Sequence, residues 1–183
     1  FAALSVGAVV VNINPLYTAR ELSHTLKDSG ARVIVICANF AKTLSEVIGQ
    51  SSVEHILLTE LGDSLGMKGK VMNFVVKHIK KMVPKFSLHQ VVKFNRALQK
   101  GATLELKKPK IDLDDMAFLQ YTGGTTGPSK GAILTHGNLL ANASQFRSWV
   151  KSIVEPGVDI AITPLPLYHI FSLTVCCLSY IGL

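Results

Sequence analysis

Residues 121–132 read YTGGTTGPSKGA and link two apolar runs, AFLQY and AILT. Glycines let the backbone adopt positive φ angles and bring amide N–H groups close to an anion, and threonine hydroxyls and a lysine ammonium donate to phosphate oxygens. The stretch supplies all three kinds of donor, at Gly123, Gly124, Gly127, Thr122, Thr125, Thr126 and Lys130. It therefore predicts a loop that binds a polyphosphate.

The stretch differs from the GxxxxGK[ST] loop of ordinary nucleoside triphosphatases. Gly131 follows Lys130, and the next residues, AILT, favour a strand rather than a helix. The donors are therefore expected to come from the loop itself and not from a helix N-terminus. An alternative interpretation is a solvated hairpin turn, because clusters of Gly and Thr between apolar runs are common in turns.

The longer stretch YTGGTTGPSKGAILTHGNLLAN, residues 121–142, resembles the signature loop of the adenylate-forming acyl-CoA synthetases, whose pattern is close to YTSGTTGxPKGVxLTHxN. NPLYTARELSHTLKDSGARVIV upstream and PLPLYHIFSLT downstream are also similar to that family, in particular to its bacterial long-chain fatty acid CoA ligases. Two positions depart from the pattern. Gly123 stands in place of the usual Ser, and Ser129 stands in place of the Pro before the Lys.

The resemblance implies an enzyme that joins a fatty acid to ATP, giving an acyl adenylate and pyrophosphate, and then transfers the acyl group to coenzyme A. It implies that Lys130 and His169 are catalytic, with His169 beside the carboxylate, and that Thr125 lies near Mg²⁺. The implied nucleotide-binding residues are Tyr121, Thr122, Gly123, Gly124, Thr125, Thr126, Gly127, Pro128, Ser129, Lys130, Gly131 and Ala132. Without the resemblance, His169 is expected to be a buried, hydrogen-bonded histidine.

The resemblance also implies that the chain is an internal fragment. The family's adenine and coenzyme A sites and its C-terminal lysine would follow Leu183, so the fragment alone is expected to be inactive. Two other functions stay open at this point: a non-catalytic module that binds phosphate or a membrane surface, and an adenylate-forming enzyme for another carboxylic acid.

The order of predicted elements favours an α/β fold with a mostly parallel sheet flanked by helices. RVIVIC and HILLT are apolar strands separated by a helix from Asn39 to about Ile48, and parallel strands need a crossover of that kind. Thr18 and Glu21 form a capping box that starts a helix, which Gly30 ends. The fold implied by the resemblance is part of an adenylate-forming N-terminal domain, with residues 1–155 as one subdomain and 156–183 as the truncated start of another.

The net charge of +7 is concentrated in one region. Residues 66–110 contain twelve Lys and Arg against one acidic residue, a local charge of +11, which leaves −4 for the rest. Such a local excess argues against a nucleic-acid-binding protein and allows contact of residues 66–85 with an anionic membrane. The alternative is a helix whose apolar edge, with Val71, Phe74 and Met82, packs onto the domain. Three cysteines without a disulfide framework fit a cytoplasmic protein, with possible peripheral attachment to the inner face of the cell membrane.

Two further segments carry packing predictions. A helix from Asn138 to about Val150 is expected to bury Leu139, Leu140, Ala143 and Phe146, with Trp149 in the core or an interface. Residues 159–171, DIAITPLPLYHIF, are expected to form a buried strand that ends in a loop with His169.

Overall fold

The computed structural model describes residues 1–124, 127–155 and 157–181. The strands are β1 (Val10–Asn12), β2 (Val33–Cys37), β3 (His55–Thr59), β4 (Val91–Lys93), β5 (Met116–Gly124) and β6 (Gly127–Thr135). The α-helices are α1 (Ala2–Ser5), α2 (Ala19–Ser29), α3 (Ala41–Val47), α4 (Gly66–Phe74), α5 (Phe94–Gly101), α6 (His136–Val150) and α7 (Ser179–Ile181). Short 3₁₀ turns span Ala38–Phe40 and Ile48–Gln50, and wider π-helical turns span Val75–Ile79 and Ser172–Leu178.

The chain divides into two compact units. Residues 15–106 form what we call the parallel unit, whose sheet has the order β2-β3-β4 with all strands parallel. Residues 1–14 and 107–183 form the hairpin unit, in which β1 pairs parallel with β5 and β5 pairs antiparallel with β6. The predicted α/β class with a mostly parallel sheet is confirmed. The predicted subdomain boundary after residue 155 stays a prediction.

Helix α2 begins and ends as its sequence predicts. The backbone N–H of Thr18 donates to Glu21 Oε2 at 2.8 Å, and the N–H of Glu21 donates to the Thr18 hydroxyl at 3.3 Å. Gly30 closes the helix with a left-handed φ of 61°, a conformation that costs a residue without Cβ little. The apolar face of α2 buries Leu22 and Leu26.

The lysine-rich helix α4 and the π-helical turn after it pack differently from the sequence expectation. Val71, Phe74 and Met82 are all more than half exposed, so the predicted packing of this apolar edge is wrong. The residue of α4 that is buried is Gly69, which approaches Gly62 so closely that a Cβ on either residue would overlap backbone of the other. The side of α4 that packs inward is therefore the side on which Gly69 has no side chain, and not a stripe of apolar side chains.

The hairpin unit has its core where β5 meets the helices that follow. Ala117, Phe118, Leu139 and Leu173 form a buried cluster. Within α6 the predicted burial of Leu139 and Ala143 is confirmed, and Phe146 is half-buried with its ring 6.1 Å from that of Tyr180. The other two expectations for this helix are wrong, because Leu140 is 58% exposed and Trp149 is 86% exposed.

The predicted buried strand at residues 159–171 is also wrong. Its described backbone forms no strand, and Ile160 and Ile162 are 91% and 85% exposed. Pro164 and Pro166 explain the difference, because proline fixes φ and lacks the N–H that a sheet ladder needs. A helical segment starts at Ile170 instead.

No described helix is both long enough and apolar enough to cross a membrane.

Candidate active site

The glycine- and threonine-rich stretch forms the end of the β5–β6 hairpin. Thr122 is paired with Lys130 and Tyr121 with Gly131, and the register shifts at a bulge between Thr122 and Gly124. Side chains alternate between the two faces of a strand, so Thr122 and Lys130 share one face as a cross-strand pair. Both side chains are exposed, which leaves a hydroxyl and an ammonium side by side in solvent.

Tyr121 occupies the opposite face of the hairpin and is 6% exposed. Its ring lies over Gly131: a Cβ placed on that glycine would come within 3.1 Å of Tyr121 Cζ. A side chain at residue 131 would therefore require the ring to shift by a few tenths of an ångström. The buried tyrosine fixes one face of the hairpin while the other face carries the polar side chains.

Gly123, where the acyl-CoA synthetase pattern has Ser, has open space around it. No described atom lies within 4 Å of an ideal Cβ there, and its φ is outside the left-handed region. The position can therefore take a side chain, and glycine at this point removes a hydroxyl without being required by the backbone.

His169 lies in a turn that is attached to β5. The side chain of Gln120, 6% exposed, donates from Nε2 to the carbonyl oxygen of Tyr168 at 3.0 Å. His169 itself is exposed, so the expectation of a buried histidine is wrong. The N–H of Phe171 donates to His169 Nδ1 at 3.3 Å, which leaves Nε2 as the protonated nitrogen of the neutral ring.

The turn with His169 is bonded to a side chain of the hairpin. Gln120 and Thr122 are two residues apart on β5 and therefore face the same way. The turn of His169 is bonded to Gln120, and Lys130 is paired with Thr122. The turn that contains His169 is thus bonded to the same strand that carries Thr122, the partner of Lys130.

The other predicted site residues have mixed positions. Pro128 and Ala132 are exposed and Ser129 and Gly131 are half-buried on β6. Gly124 and Gly127 are paired across the hairpin end. Thr125 and Thr126, with the metal contact predicted for Thr125, lie outside the described residues. Among the residues that are described, no group of three or more His, Cys, Asp or Glu side chains could hold a metal ion.

Sequence reasoning did not single out Gln120. The signal that could have found it is one amide side chain within the apolar run AFLQY.

Residues 1–182 match the family model described as AMP-binding enzyme. The chain belongs to the AMP-binding enzyme family. A long-chain-fatty-acid–CoA ligase of Salmonella typhimurium is 52% identical over 184 residues, which is 100% of this chain and 33% of that protein. The corresponding ligase of Haemophilus influenzae is 48% identical over 190 residues, again 100% of this chain and 33% of the relative.

Solved structures of AMP-binding enzymes share the fold. A crystal structure of a long-chain-fatty-acid–CoA ligase from Archaeoglobus fulgidus superposes with a TM-score of 0.65 and 27% identity, covering 98% of this chain and 30% of that one. The chain thus spans about a third of the length of the curated relatives that it matches, 33% in the two cases above.

Proposed function

We propose that the full-length protein containing this chain is an ATP-dependent long-chain fatty acid CoA ligase. The observation that carries the proposal is the 52% identity to a ligase of that name along the entire chain. The geometry is compatible with it, because the pair formed by Thr122 and Lys130 and the turn with the exposed His169 are both attached to β5.

The proposed reaction has two steps. A fatty acid carboxylate oxygen attacks the α-phosphorus of ATP, the bond to the bridging oxygen breaks, and pyrophosphate leaves. The thiol sulfur of coenzyme A then attacks the acyl carbonyl, loses its proton, and displaces AMP. Adenylation is needed because oxide is a very poor leaving group from a carboxylate, whereas AMP leaves readily.

The hairpin would hold the triphosphate. Lys130 would neutralise charge on the β- and γ-phosphates as pyrophosphate departs, and Thr122 would donate a hydrogen bond to them from the same face. Gly123 would contribute its backbone N–H rather than a side-chain hydroxyl. Bound Mg²⁺ would supply further charge neutralisation, and Thr125 is the proposed contact. Coenzyme A would bind to parts of the protein outside this chain.

His169 would orient the fatty acid. Its Nδ1 accepts the N–H of Phe171, so the neutral ring presents Nε2–H as a donor to the carboxylate. This role does not require the histidine to change protonation state during the reaction.

The test is fatty-acid-dependent exchange of pyrophosphate into ATP by the full-length protein. Lys130→Ala is expected to lower the exchange rate by about 100-fold or more, since loss of even one neutral hydrogen-bond donor to a developing anion has a cost of that order. Lys151→Ala, an exposed lysine just after α6, is the matched control and should retain the wild-type rate. Exchange supported by aryl or amino acids but not by long-chain acids would move the protein to another branch of the family.

We also propose that residues 66–85 contact an anionic membrane surface from the cytoplasmic side. Met67, Val71, Phe74, Ile79 and Met82 are each more than half exposed, and six lysines share the segment. Exposed apolar side chains among lysines suit the interface of an anionic bilayer, where each basic residue contributes about 1 kcal/mol.

Sedimentation of the protein with vesicles should therefore require anionic lipid and fall when Lys77, Lys80 and Lys81 are replaced by Gln. Equal sedimentation with neutral vesicles would contradict this proposal and leave the ligase proposal untouched.

A further inference from the structure

Two side-chain amides lie on neighbouring strands of the sheet in the hairpin unit. Asn12 is the last residue of β1, and its register partner on the parallel strand β5 is Gln120. Side chains of registered neighbours in a parallel pair emerge on the same face. The two amides are therefore adjacent on the face that carries the turn of His169.

Each amide has one buried atom without a hydrogen-bond partner among the described residues. These atoms are Asn12 Nδ2, a donor, and Gln120 Oε1, an acceptor. Buried polar groups are almost always satisfied, so an open donor beside an open acceptor calls for an explanation. Because Asn12 and Gln120 are register partners, the open donor and the open acceptor are suited to each other, directly or through a bridging water.

The orientation of Gln120 is fixed by its other contact. The carbonyl oxygen of Tyr168 can only accept, so the atom 3.0 Å from it must be Nε2. That assignment leaves Oε1 as the acceptor for Asn12. A hydrogen bond from Asn12 to this oxygen would extend the contact between Gln120 and Tyr168 back to β1.

Two further hydrogen bonds hold the turn together around this contact. The N–H of His169 donates to Pro166 O at 2.9 Å, and the Ser172 hydroxyl, fully buried, donates to Leu165 O at 2.7 Å. Because these bonds tie residues 165–172 into one piece, a bond to Tyr168 also constrains the backbone that carries the imidazole. Gln120 links that piece to the strand that continues directly into Tyr121 and Thr122.

We propose that Gln120 is a positioning residue that holds His169 in register with the phosphate-binding hairpin, with Asn12 supporting its amide. This inference rests on the proposed function, since it assigns Gln120 a role in the alignment of the carboxylate and the triphosphate. Gln120 acts through His169 and does not itself touch the substrate.

The first test compares Gln120→Met with wild type in the full-length protein. Methionine keeps the length and volume of the side chain but removes the Nε2 donor. We expect kcat for pyrophosphate exchange to fall by about 10- to 100-fold, because small misplacements of reacting groups carry costs of that order. KM for ATP should stay close to that of wild type. Gln145→Met, which changes an exposed glutamine of α6 in the same way, should leave both constants unchanged.

A double-mutant cycle separates positioning from general loss of structure. If Gln120 acts through His169, the double variant Gln120→Met/His169→Ala should be no slower than His169→Ala alone. If the double variant instead loses the product of the two single-variant factors in rate, the proposal is overturned. Asn12→Asp, which removes the Nδ2 donor at constant size, should give a smaller loss of kcat of the same kind, and an unchanged kcat would exclude Asn12 from the arrangement.

A third measurement does not depend on activity. Hydrogen exchange of the peptide covering residues 165–173 should be faster in Gln120→Met than in wild type, because the turn loses its bond to β5. An unchanged rate of hydrogen exchange in this peptide would overturn the proposal. If wild type shows no fatty-acid-dependent pyrophosphate exchange at all, the proposed function fails, and the hydrogen-exchange comparison alone decides whether Gln120 holds the turn.

Discussion

At residue scale, the close approach of Tyr121 to Gly131 constrains the described part of the hairpin. Gly131→Ala would place a methyl group 3.1 Å from Tyr121 Cζ, and the ring is buried, so it has little room to give way. We expect a loss of about 1–3 kcal/mol in the free energy of unfolding, as for other overpacked sites. Pyrophosphate exchange should fall as well, because the ring supports the face opposite Lys130. Both are measured on the full-length protein by denaturant titration and by the exchange assay.

Gly123→Ser provides the contrasting case eight residues away. No described atom would meet the new Cβ, so stability should be unchanged within about 0.5 kcal/mol, the usual range at open surface sites. The variant also restores the hydroxyl of the acyl-CoA synthetase pattern and should keep or raise the exchange rate. A strongly destabilised Gly123→Ser variant would show that the hairpin end is tighter than the structure indicates.

The side chains suited to bind phosphate could be predicted from the sequence better than the residues that hold the site in place. Lys130 and Thr122 could be chosen from composition and spacing, because donors for phosphate are few and recognisable. His169 depended on the family resemblance, since one histidine in an apolar segment carries no signal of its own exposure. Gln120 could not be chosen, because its significance comes from the carbonyl of Tyr168, which is 48 residues away in the chain.

At the scale of elements, the capping box of α2 makes stability depend on pH. The hydroxyl and then the N–H of Thr18 hold the pKa of the Glu21 carboxyl below its ordinary value. Because the pKa of Glu21 is lower in the folded state, its carboxylate contributes fully to stability at pH values above its unfolded-state pKa of about 4.3. That contribution is lost as the pH falls through the folded-state pKa. The difference in stability between wild type and Glu21→Gln should therefore shrink as the pH falls below about 4.

Thermal unfolding of the full-length protein between about pH 6 and about pH 3 measures this dependence. Glu46→Gln, an exposed carboxylate of α3, serves as the control for the charge change alone. A difference between wild type and Glu21→Gln that grows on acidification would contradict the assigned sign.

Two helical glycines allow helix propensity to be compared with packing. Alanine is favoured over glycine in a helix by about 1 kcal/mol, so propensity alone predicts that both Gly69→Ala and Gly101→Ala stabilise. Gly101 has no described atom within 4 Å of an added Cβ, whereas a Cβ on Gly69 would overlap the carbonyl of Gly62. We expect Gly101→Ala to be neutral or stabilising and Gly69→Ala to destabilise by about 1–3 kcal/mol. Denaturant titration gives both values, and stabilisation by Gly69→Ala would contradict the close approach seen in α4.

Elements with local signals were predicted well, and those that depend on distant partners were not. Helix α2 carries its own start and stop residues, and β2 and β3 are short apolar runs on either side of a helix, so their bounds could be predicted from the chain alone. The exposed, irregular conformation of residues 159–167 was missed because the prediction gave more weight to the apolar residues of the segment than to Pro164 and Pro166. The side of α4 that is buried was missed because it depends on the loop glycine at 62.

At the scale of the whole molecule, the basic charge and the phosphate hairpin belong to different units. The parallel unit is one continuous segment, residues 15–106, with thirteen Lys and Arg against seven Asp and Glu, a net charge of +6. It has its own three-stranded sheet and its own buried residues, including Leu26, Ile34, Leu44 and Ile56. A continuous segment with its own core is the usual condition for independent folding.

We therefore expect residues 15–106, produced alone, to fold and to bind anionic vesicles without any nucleotide-dependent activity. Folding is measured by hydrogen exchange, where α2 and β2 should show protection close to that in the full-length protein. Vesicle binding should weaken as salt rises, because exposed charges are screened over about 8 Å at physiological ionic strength. A folded segment that ignores anionic vesicles while the full-length protein binds them would place the membrane contact outside residues 15–106. An unfolded segment would show that the core of the parallel unit is insufficient without the rest of the protein, and the vesicle comparison would then be made with the lysine variants of the full-length chain.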